Sequence, residues 1–233
     1  MSFKFKNWKL LLLAFVLVGL FFKLGMWQLT RAKEKTALLH AFSLRMTHTP
    51  LTTNTLSDSG DWRFYPALLK GSFDNARTLL LDNKTFEGKI GYEVYTPFKA
   101  AGLSTPILID RGFIPMGKSR RELPLINPIL GEVTLKGMLN LPPTYVTLGS
   151  LHDPQITWPL RVEYINLHTL PALLGYSLYP YVVNIDPADP AAYAMKWQIV
   201  TMGPEKHQGY AVQWFALALT LLILSVALNC KSR

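Results

Sequence analysis

The sequence contains a single cysteine, Cys230, near the C-terminal end of its 233 residues. An intramolecular disulfide is therefore impossible. The Cys-x-x-Cys pattern of thiol exchange, zinc sites and covalent haem attachment is also missing. A domain built from this sequence must be held together by its apolar core, and the roughly 175 residues between the two ends are enough to form one.

The sequence also lacks common catalytic motifs. It has no Gly-x-Ser-x-Gly elbow and no His-Glu-x-x-His pair. No two of its five histidines lie three or four positions apart, so no pair shares a helix face as metal ligands often do. We expect Asp110 and Arg111 to form a structural ion pair at a strand end rather than a catalytic pair. An enzymatic function is therefore not predicted.

The central part of the chain has no net charge. Residues 36–205 carry fourteen basic and fourteen acidic side chains, whereas the two ends carry ten basic residues and one acidic residue, Glu34. The net charge of +9 therefore lies beside the apolar ends, where Lys and Arg contact anionic headgroups. No basic stripe with interleaved aromatics is present, so the lipid bilayer is a predicted partner and nucleic acid is not.

Two long apolar stretches, residues 10–29 and 210–228, predict transmembrane helices. The second has no charged side chain and would span roughly 28 Å as a helix. Lys23 in the first can extend its stem along the lipid to the headgroups. A retained anchor is favoured over a cleaved signal peptide, because bulky and charged residues follow the apolar core where a cleavage site would need small ones.

Each span also carries an amide, Gln28 near the end of the first and Gln213 within the second. An amide in lipid finds a hydrogen-bond partner, typically on a neighbouring helix. We therefore expect the two helices to pack on each other or on a partner membrane protein.

The basic residues outside the spans bear on topology. Those before the first span and after the second favour cytoplasmic termini, whereas three near the end of the first span oppose this. Long domains translocate largely regardless of charge. We therefore expect a bacterial inner-membrane protein with two spans, cytoplasmic termini and a periplasmic domain at residues 36–205. The favouring residues are Lys4, Lys6, Lys9, Lys231 and Arg233; the opposing ones are Arg31, Lys33 and Lys35.

Between the spans the sequence predicts short strands separated by turns. The clearest is at residues 92–98, where alternate residues from Tyr92 to Phe98 are mostly apolar. The predicted fold class is membrane-anchored α+β, with two terminal transmembrane helices flanking a mainly antiparallel β-barrel or sandwich. Further strands are predicted at 62–73, 77–82, 107–109, 131–139, 162–165, 181–185 and 197–200, with one helix at 166–174 and the first helix continuing to Arg45, before Pro50.

His207 lies three residues before the second span. On a helix that starts near Lys206, Tyr210, Ala211 and Trp214 follow His207 on the same face. A neutral imidazole beside aromatics at the membrane boundary can ligate haem iron. The same residues also fit an interfacial aromatic belt with an incidental histidine. On the residues alone, both interpretations remain open.

Three blocks of the sequence share their pattern with one known family. They are residues 25–31 (GMWQLTR, with Lys35 following), residues 110–115 (DRGFIP) and residues 207–215 (HQGYAVQWF). Together with the two terminal spans, and in this order, they resemble the surfeit-locus-protein-one family, the Shy-type assembly factors of cytochrome c oxidase. Phe113 stands where many members carry Trp, and both residues are bulky aromatics.

The resemblance implies a function in biogenesis of the oxidase's haem–copper subunit. It implies that the protein binds haem a, with His207 as the iron ligand, and aids insertion of the haem. Trp27 would pack against the porphyrin and Arg31 would pair with a propionate, while Tyr210 and Trp214 complete the surroundings. The implied partners are the catalytic subunit of the oxidase and the haem a synthesis machinery, and the family is not enzymatic. Two alternatives are a cofactor-free membrane scaffold and a membrane-anchored enzyme.

Overall fold

The computed structural model describes residues 8–56, 60–120, 122–143 and 156–229. Lys4, Lys6, Cys230, Lys231 and Arg233 lie outside these ranges. The chain divides into two compact units. A helical unit comprises Met1–Ala41 and Gln198–Arg233, and a β unit comprises Phe42–Trp197.

The helical unit contains the two long helices, apart from the last turn of the first one, which belongs to the β unit. Helix α1 runs from Trp8 to Arg45 and helix α3 from Pro204 to Asn229. Both are long and apolar enough to cross a membrane. At 38 residues, α1 is roughly 57 Å long and exceeds a bilayer's hydrocarbon thickness, so it continues beyond its apolar part as predicted. Pro204 and Glu205 suit the first turn of α3, because Pro lacks the N–H that is unpaired there and the carboxylate faces the positive end of the helix dipole.

The described residues of the β unit form seven strands and one short helix. Strand β3 is the longest, and it pairs with three other strands along its length. A 3-10 turn at Asn75–Arg77 separates the first two strands. The strands are β1 Pro66–Phe73, β2 Leu79–Phe86, β3 Lys89–Ala100, β4 Ile107–Pro115, β5 Val133–Asn140, β6 Leu160–Val162 and β7 Val182–Ile185, and helix α2 is Pro171–Leu174.

Five of the strands close into a barrel. The order β1-β5-β7-β4-β3 returns to its start because β3 also pairs with β1, through Gly71 opposite Ala100 and Phe73 opposite Phe98. Strands β2 and β6 extend the sheet beyond β3. All pairings are antiparallel except β4 with β7 and β2 with β6. The predicted class, two terminal apolar helices flanking a mainly antiparallel barrel, is confirmed.

The core lies on both faces of the barrel wall. Strand β4 shows the arrangement, because Ile107 and Ile109 point inward while Leu108 points to the outer face. The interior receives alternate apolar residues from all five ring strands, and the outer face packs beneath α2 and β6. Because both faces are covered, β4 is buried from Ile107 to Phe113, and apolar packing can stabilise the barrel.

Three strand or helix predictions are wrong in detail. Residues 197–200 form no strand; instead the Trp197 indole N–H donates to the Ile185 carbonyl at 3.0 Å. The helix predicted at 166–174 is a turn followed by the single helical turn Pro171–Leu174. The strand predicted at 162–165 is Leu160–Val162 instead. Short apolar runs carry no signal that distinguishes a strand from an irregular segment anchored by its side chains.

The predicted ion pair between Asp110 and Arg111 is also wrong for the described structure. Both residues lie within β4 and are buried, and neighbours on a strand point to opposite faces. The Arg111 guanidinium stacks on Tyr193, with its carbon 4.9 Å from the ring centroid, and its Nε donates to the Ala191 carbonyl. The Asp110 carboxylate accepts from the Asn184 amide at 2.7 Å. The two side chains therefore serve separate contacts.

Candidate functional site

Helices α1 and α3 contact each other through side chains, and small residues of both helices are buried. Gly25 and Ala32 are the buried residues of α1, and Ala211 and Ala218 are buried on α3. A Cβ atom added at Gly25 would lie 2.5 Å from a ring carbon of Phe215, so a larger residue there requires the Phe215 ring to move. Small residues let the backbones of membrane helices approach each other. We call this contact line, with Gln28 and His207, the helix seam.

Contacts at two levels show that the two helices run antiparallel. The ring centroids of Phe21 and Trp214 lie 5.6 Å apart, and those of Phe22 and Phe215 lie 5.5 Å apart. Further along α1, Gln28 contacts His207, so residue numbers fall along α3 as they rise along α1. The expectation that the helices pack on each other agrees with this arrangement.

His207 lies in the helix seam. It is 9% exposed, and its Nδ1 is 2.7 Å from Oε1 of Gln28, in a hydrogen bond that joins residues 179 positions apart. Among the described residues, Nε2 of His207 has no hydrogen-bond partner. The imidazole is thus held at one nitrogen and available at the other. A neutral imidazole in this state can ligate a metal.

The residues predicted to surround a porphyrin are more exposed. Trp27 is 49% exposed, and the Arg31 guanidinium lies over its ring at 5.7 Å. Arg31 also forms an ion pair with Glu34 at 2.7 Å, and both side chains are about half exposed. Such a pair contributes little to stability in water. Arg31 could therefore exchange Glu34 for another anion at small cost. Tyr210 is 43% exposed.

Three of these residues share one flank of the helix pair. The contact between Phe22 and Phe215 marks one flank of the helix seam. Successive helical residues are rotated by about 100°, which puts Arg31, Tyr210 and Trp214 on the opposite flank. Trp27 is rotated by about 200° from Gly25 and faces away from α3, where the Arg31 guanidinium covers its ring. The structure records no direct contact between His207 and Trp27 or Arg31.

Two residues of this arrangement are absent from the predicted site. Gln28 is noted in the sequence as an amide in need of a partner, and Glu34 only as an exceptional acidic residue. The signal for Gln28 is its polarity within an apolar span. Its pairing with His207 required the three-dimensional fold. Gln213, the other amide, is exposed in the structure and is not part of the helix seam.

A metal ion held by protein ligands alone has no candidate site in the part of the chain that the structure describes. No group of three or more His, Cys, Asp or Glu side chains lies together there. A lone imidazole instead suits a metal that brings its other ligands with it, as the iron of a porphyrin does.

The sequence also contains the pattern of a phosphate-binding loop, but the structure does not form that loop. Residues 112–119 read GFIPMGKS, the Gly-x-x-x-x-Gly-Lys-Ser pattern of a phosphate-binding loop. That loop must follow a strand and wrap around the phosphate. Here Gly112, Phe113, Ile114 and Pro115 are themselves paired with β3. The match is therefore not a phosphate site.

The β unit contains a buried polar network around Asp110. Its carboxylate accepts from the Asn184 amide and the Gly112 N–H, and the Tyr95 hydroxyl lies 3.4 Å away. Burial raises the pKa of Asp110 well above its ordinary value and the Glu93 carboxylate raises it further, while the Gly112 and Asn184 hydrogen bonds act in the opposite sense. No nucleophile is part of these contacts, so we assign the network to the barrel's structure.

In the sequence, the β-barrel lies between two apolar helices that are long enough to cross a membrane, and one imidazole lies where these helices meet. These features define a class of membrane-anchored β-barrel proteins. Comparison with known sequences identifies the family. The sequence profile of the SURF1 family matches residues 15–219, so the chain belongs to that family. The recognition made from the three sequence blocks is thereby confirmed.

Individual relatives agree with this assignment. The chain is similar to Surfeit locus protein 1 of Homo sapiens, with 27% identity over 92% of this chain and 74% of that protein. The same protein of Xenopus tropicalis is 27% identical over 84% of this chain and 68% of its own length. The Saccharomyces cerevisiae protein named "Cytochrome oxidase assembly protein SHY1" is 31% identical over 44% of this chain and 27% of its own.

Proposed function

We propose that this protein is an assembly factor for haem–copper cytochrome c oxidase, and that it binds haem a through His207 and aids its insertion into the catalytic subunit. Family membership and the name of the yeast relative support the first part. One observation supports the second. The seam holds the His207 imidazole by Nδ1, and no described residue forms a hydrogen bond with Nε2.

The residues of the helix seam and its flank fit a haem. His207 would bind the haem iron, and Trp27, Tyr210 and Trp214 would supply apolar surface. Arg31 would leave Glu34 and pair with a propionate, a charge-assisted hydrogen bond that is stronger than a neutral one. When bound, haem a would supply the redox-active iron that the oxidase requires. The protein's own part is to bind, orient and release.

Transfer to the oxidase requires that the grip be weak enough to release. A single protein ligand and a half-exposed flank meet this requirement, because neither encloses the ligand. The partners would be the haem a synthesis machinery before binding and the oxidase catalytic subunit after it. Both exchanges would take place at the membrane surface, since His207 lies at the start of an apolar helix.

A cofactor-free scaffold is the second candidate. It is favoured by the ion pair of Arg31 with Glu34 and by the stacking of Arg31 on Trp27, which satisfy the predicted propionate partner without any ligand. Under this proposal the helix seam only joins the two helices. The hydrogen bond between His207 and Gln28 then serves to stabilise the helix pair within lipid.

An optical spectrum separates the two candidates. We expect the full chain, purified in detergent from cells that make haem a, to show a Soret band. His207→Ala should lower haem content by at least about tenfold, since loss of an outer-shell partner alone costs that much. His168→Ala, which changes an exposed histidine of the β unit, is the matched control and should retain the wild-type spectrum. Wild-type haem content in His207→Ala would support the scaffold instead.

A further inference from the structure

Gln28 is the one side chain that forms a hydrogen bond with His207 among the residues that the structure describes, and it lies on the other helix. The two atoms in contact are Nδ1 of the imidazole and Oε1 of the amide, 2.7 Å apart. An amide oxygen has no proton and can only accept a hydrogen bond. Nδ1 must therefore carry the proton of the neutral ring, which leaves the lone pair at Nε2.

This arrangement determines which nitrogen can bind a metal. In free histidine the proton favours Nε2, and a protonated nitrogen cannot ligate. A hydrogen bond at Nδ1 reverses that preference, fixes the ring's orientation and raises the basicity of Nε2. Because His207 is largely buried, the ring has little freedom to turn away from Gln28.

We propose that Gln28 is a positioning residue that holds His207 as the Nδ1–H tautomer, so that Nε2 is the ligating atom. The inference rests on the proposed haem function for its purpose, but the tautomer itself is a property of the protein alone. It also makes the ligand conditional on helix pairing, since α1 supplies the acceptor and α3 the imidazole. If the two helices were apart, Gln28 could not hold His207 in the tautomer that leaves Nε2 ready to bind a metal.

Two small residues lie near this hydrogen bond. Gly25 lies three residues before Gln28, and its missing side chain leaves room for the Phe215 ring of α3. Ala211 follows His207 by one turn and is 1% exposed. Small side chains at both positions let the amide and the imidazole come within hydrogen-bond distance.

The tautomer can be measured by 15N NMR of the full chain in detergent, labelled at histidine and without haem. His207→Ala assigns the His207 signals by their disappearance. We expect the wild-type His207 Nδ1 to show the shift of a protonated nitrogen and Nε2 that of an unprotonated one. Gln28→Leu should reverse the two. Gln213→Leu, the same substitution at the exposed amide of α3, should leave them unchanged.

A second readout uses added haem a. Gln28→Leu should weaken haem affinity by about 10- to 100-fold, the usual effect of removing a ligand's outer-shell partner. Gln28→Glu keeps the length and an acceptor oxygen, so it should retain the Nδ1–H tautomer and recover most of the affinity. A residue that only filled space would not be rescued by a charge.

The outcomes distinguish the two proposals. A protonated Nε2 in the wild type, or an unchanged tautomer in Gln28→Leu, would overturn the role of Gln28 whatever the haem result. Wild-type haem affinity in Gln28→Leu would also overturn it. By contrast, an Nδ1–H tautomer that depends on Gln28 in a protein that binds no haem a would confirm the positioning and refute the haem function.

Discussion

At the residue scale, Asp110 shows how a buried ionisable side chain affects this fold. Its carboxyl is 2% exposed and its contacts are an amide, a backbone N–H and a hydroxyl, with no cation among its direct partners. Burial and Glu93 raise its pKa in the folded state. A raised carboxyl pKa means that the neutral form is the one the fold favours.

The stability of the barrel should therefore depend on pH through Asp110. The stabilisation by the neutral carboxyl is fully present below the unfolded-state pKa of about 4 and is lost as pH rises through the higher folded-state pKa. Between these two pKa values we expect the free energy of unfolding to fall by up to about 1.4 kcal/mol per pH unit. Asp110→Asn cannot ionise and should flatten the dependence.

Thermal unfolding of the full chain in detergent, followed by circular dichroism from pH 4 to 8, measures this dependence. Glu132 pairs with Lys70 at the surface, so Glu132→Gln serves as a control that should keep the wild-type slope. A slope in Asp110→Asn equal to that of the wild type would show that another group titrates, with Glu93 the first to examine.

At the scale of elements, the helix seam contains one glycine that lies directly under a ring of the other helix. A Cβ at Gly25 would meet the Phe215 ring at 2.5 Å, whereas a Cβ at Gly19 on the same helix would have nothing within 4 Å. Gly25→Val should therefore separate α1 from α3, and Gly19→Val should not. Both substitutions add the same side chain to an apolar helix, so the difference isolates the seam.

Cross-linking measures the separation. With Cys230 replaced by serine, cysteines at Phe21 and Trp214, whose rings lie 5.6 Å apart, should join through a short bifunctional thiol reagent. We expect Gly25→Val to lower the yield several-fold and Gly19→Val to leave it unchanged. Equal yields in the two variants would contradict the packing described for Gly25.

The elements differ in how far the sequence predicts them. Helices α1 and α3 follow from long apolar runs, and β3 and β5 from alternation, because these patterns are local. Barrel closure depends on β3 pairing with β1, and the irregular path of residues 197–200 depends on an indole that bonds Ile185. Neither contact produces a recognisable pattern in the local sequence. Similarly, His207 stands out in its block, but its bond to Gln28 links positions 179 apart.

At the scale of the whole molecule, the antiparallel helices constrain topology. Two antiparallel spans place both termini on one side of the membrane and the segment between them on the other. The ends carry ten basic residues and one acidic residue, while residues 36–205 are balanced. Basic residues near span ends favour the cytoplasmic side. This combination favours cytoplasmic termini and a barrel on the opposite side.

Reporter fusions in a bacterial host test this topology. Alkaline phosphatase is active only after export, so a fusion after Gly102, in the turn between β3 and β4, should be active. A fusion after Arg233 should be inactive. Arg31, Lys33 and Lys35 oppose this orientation, and replacing them with glutamine should leave the pattern intact, because export of long domains depends little on such charges. The reverse pattern in the unmodified chain would place the barrel and His207 on the cytoplasmic side, where haem insertion from the outer surface could not occur.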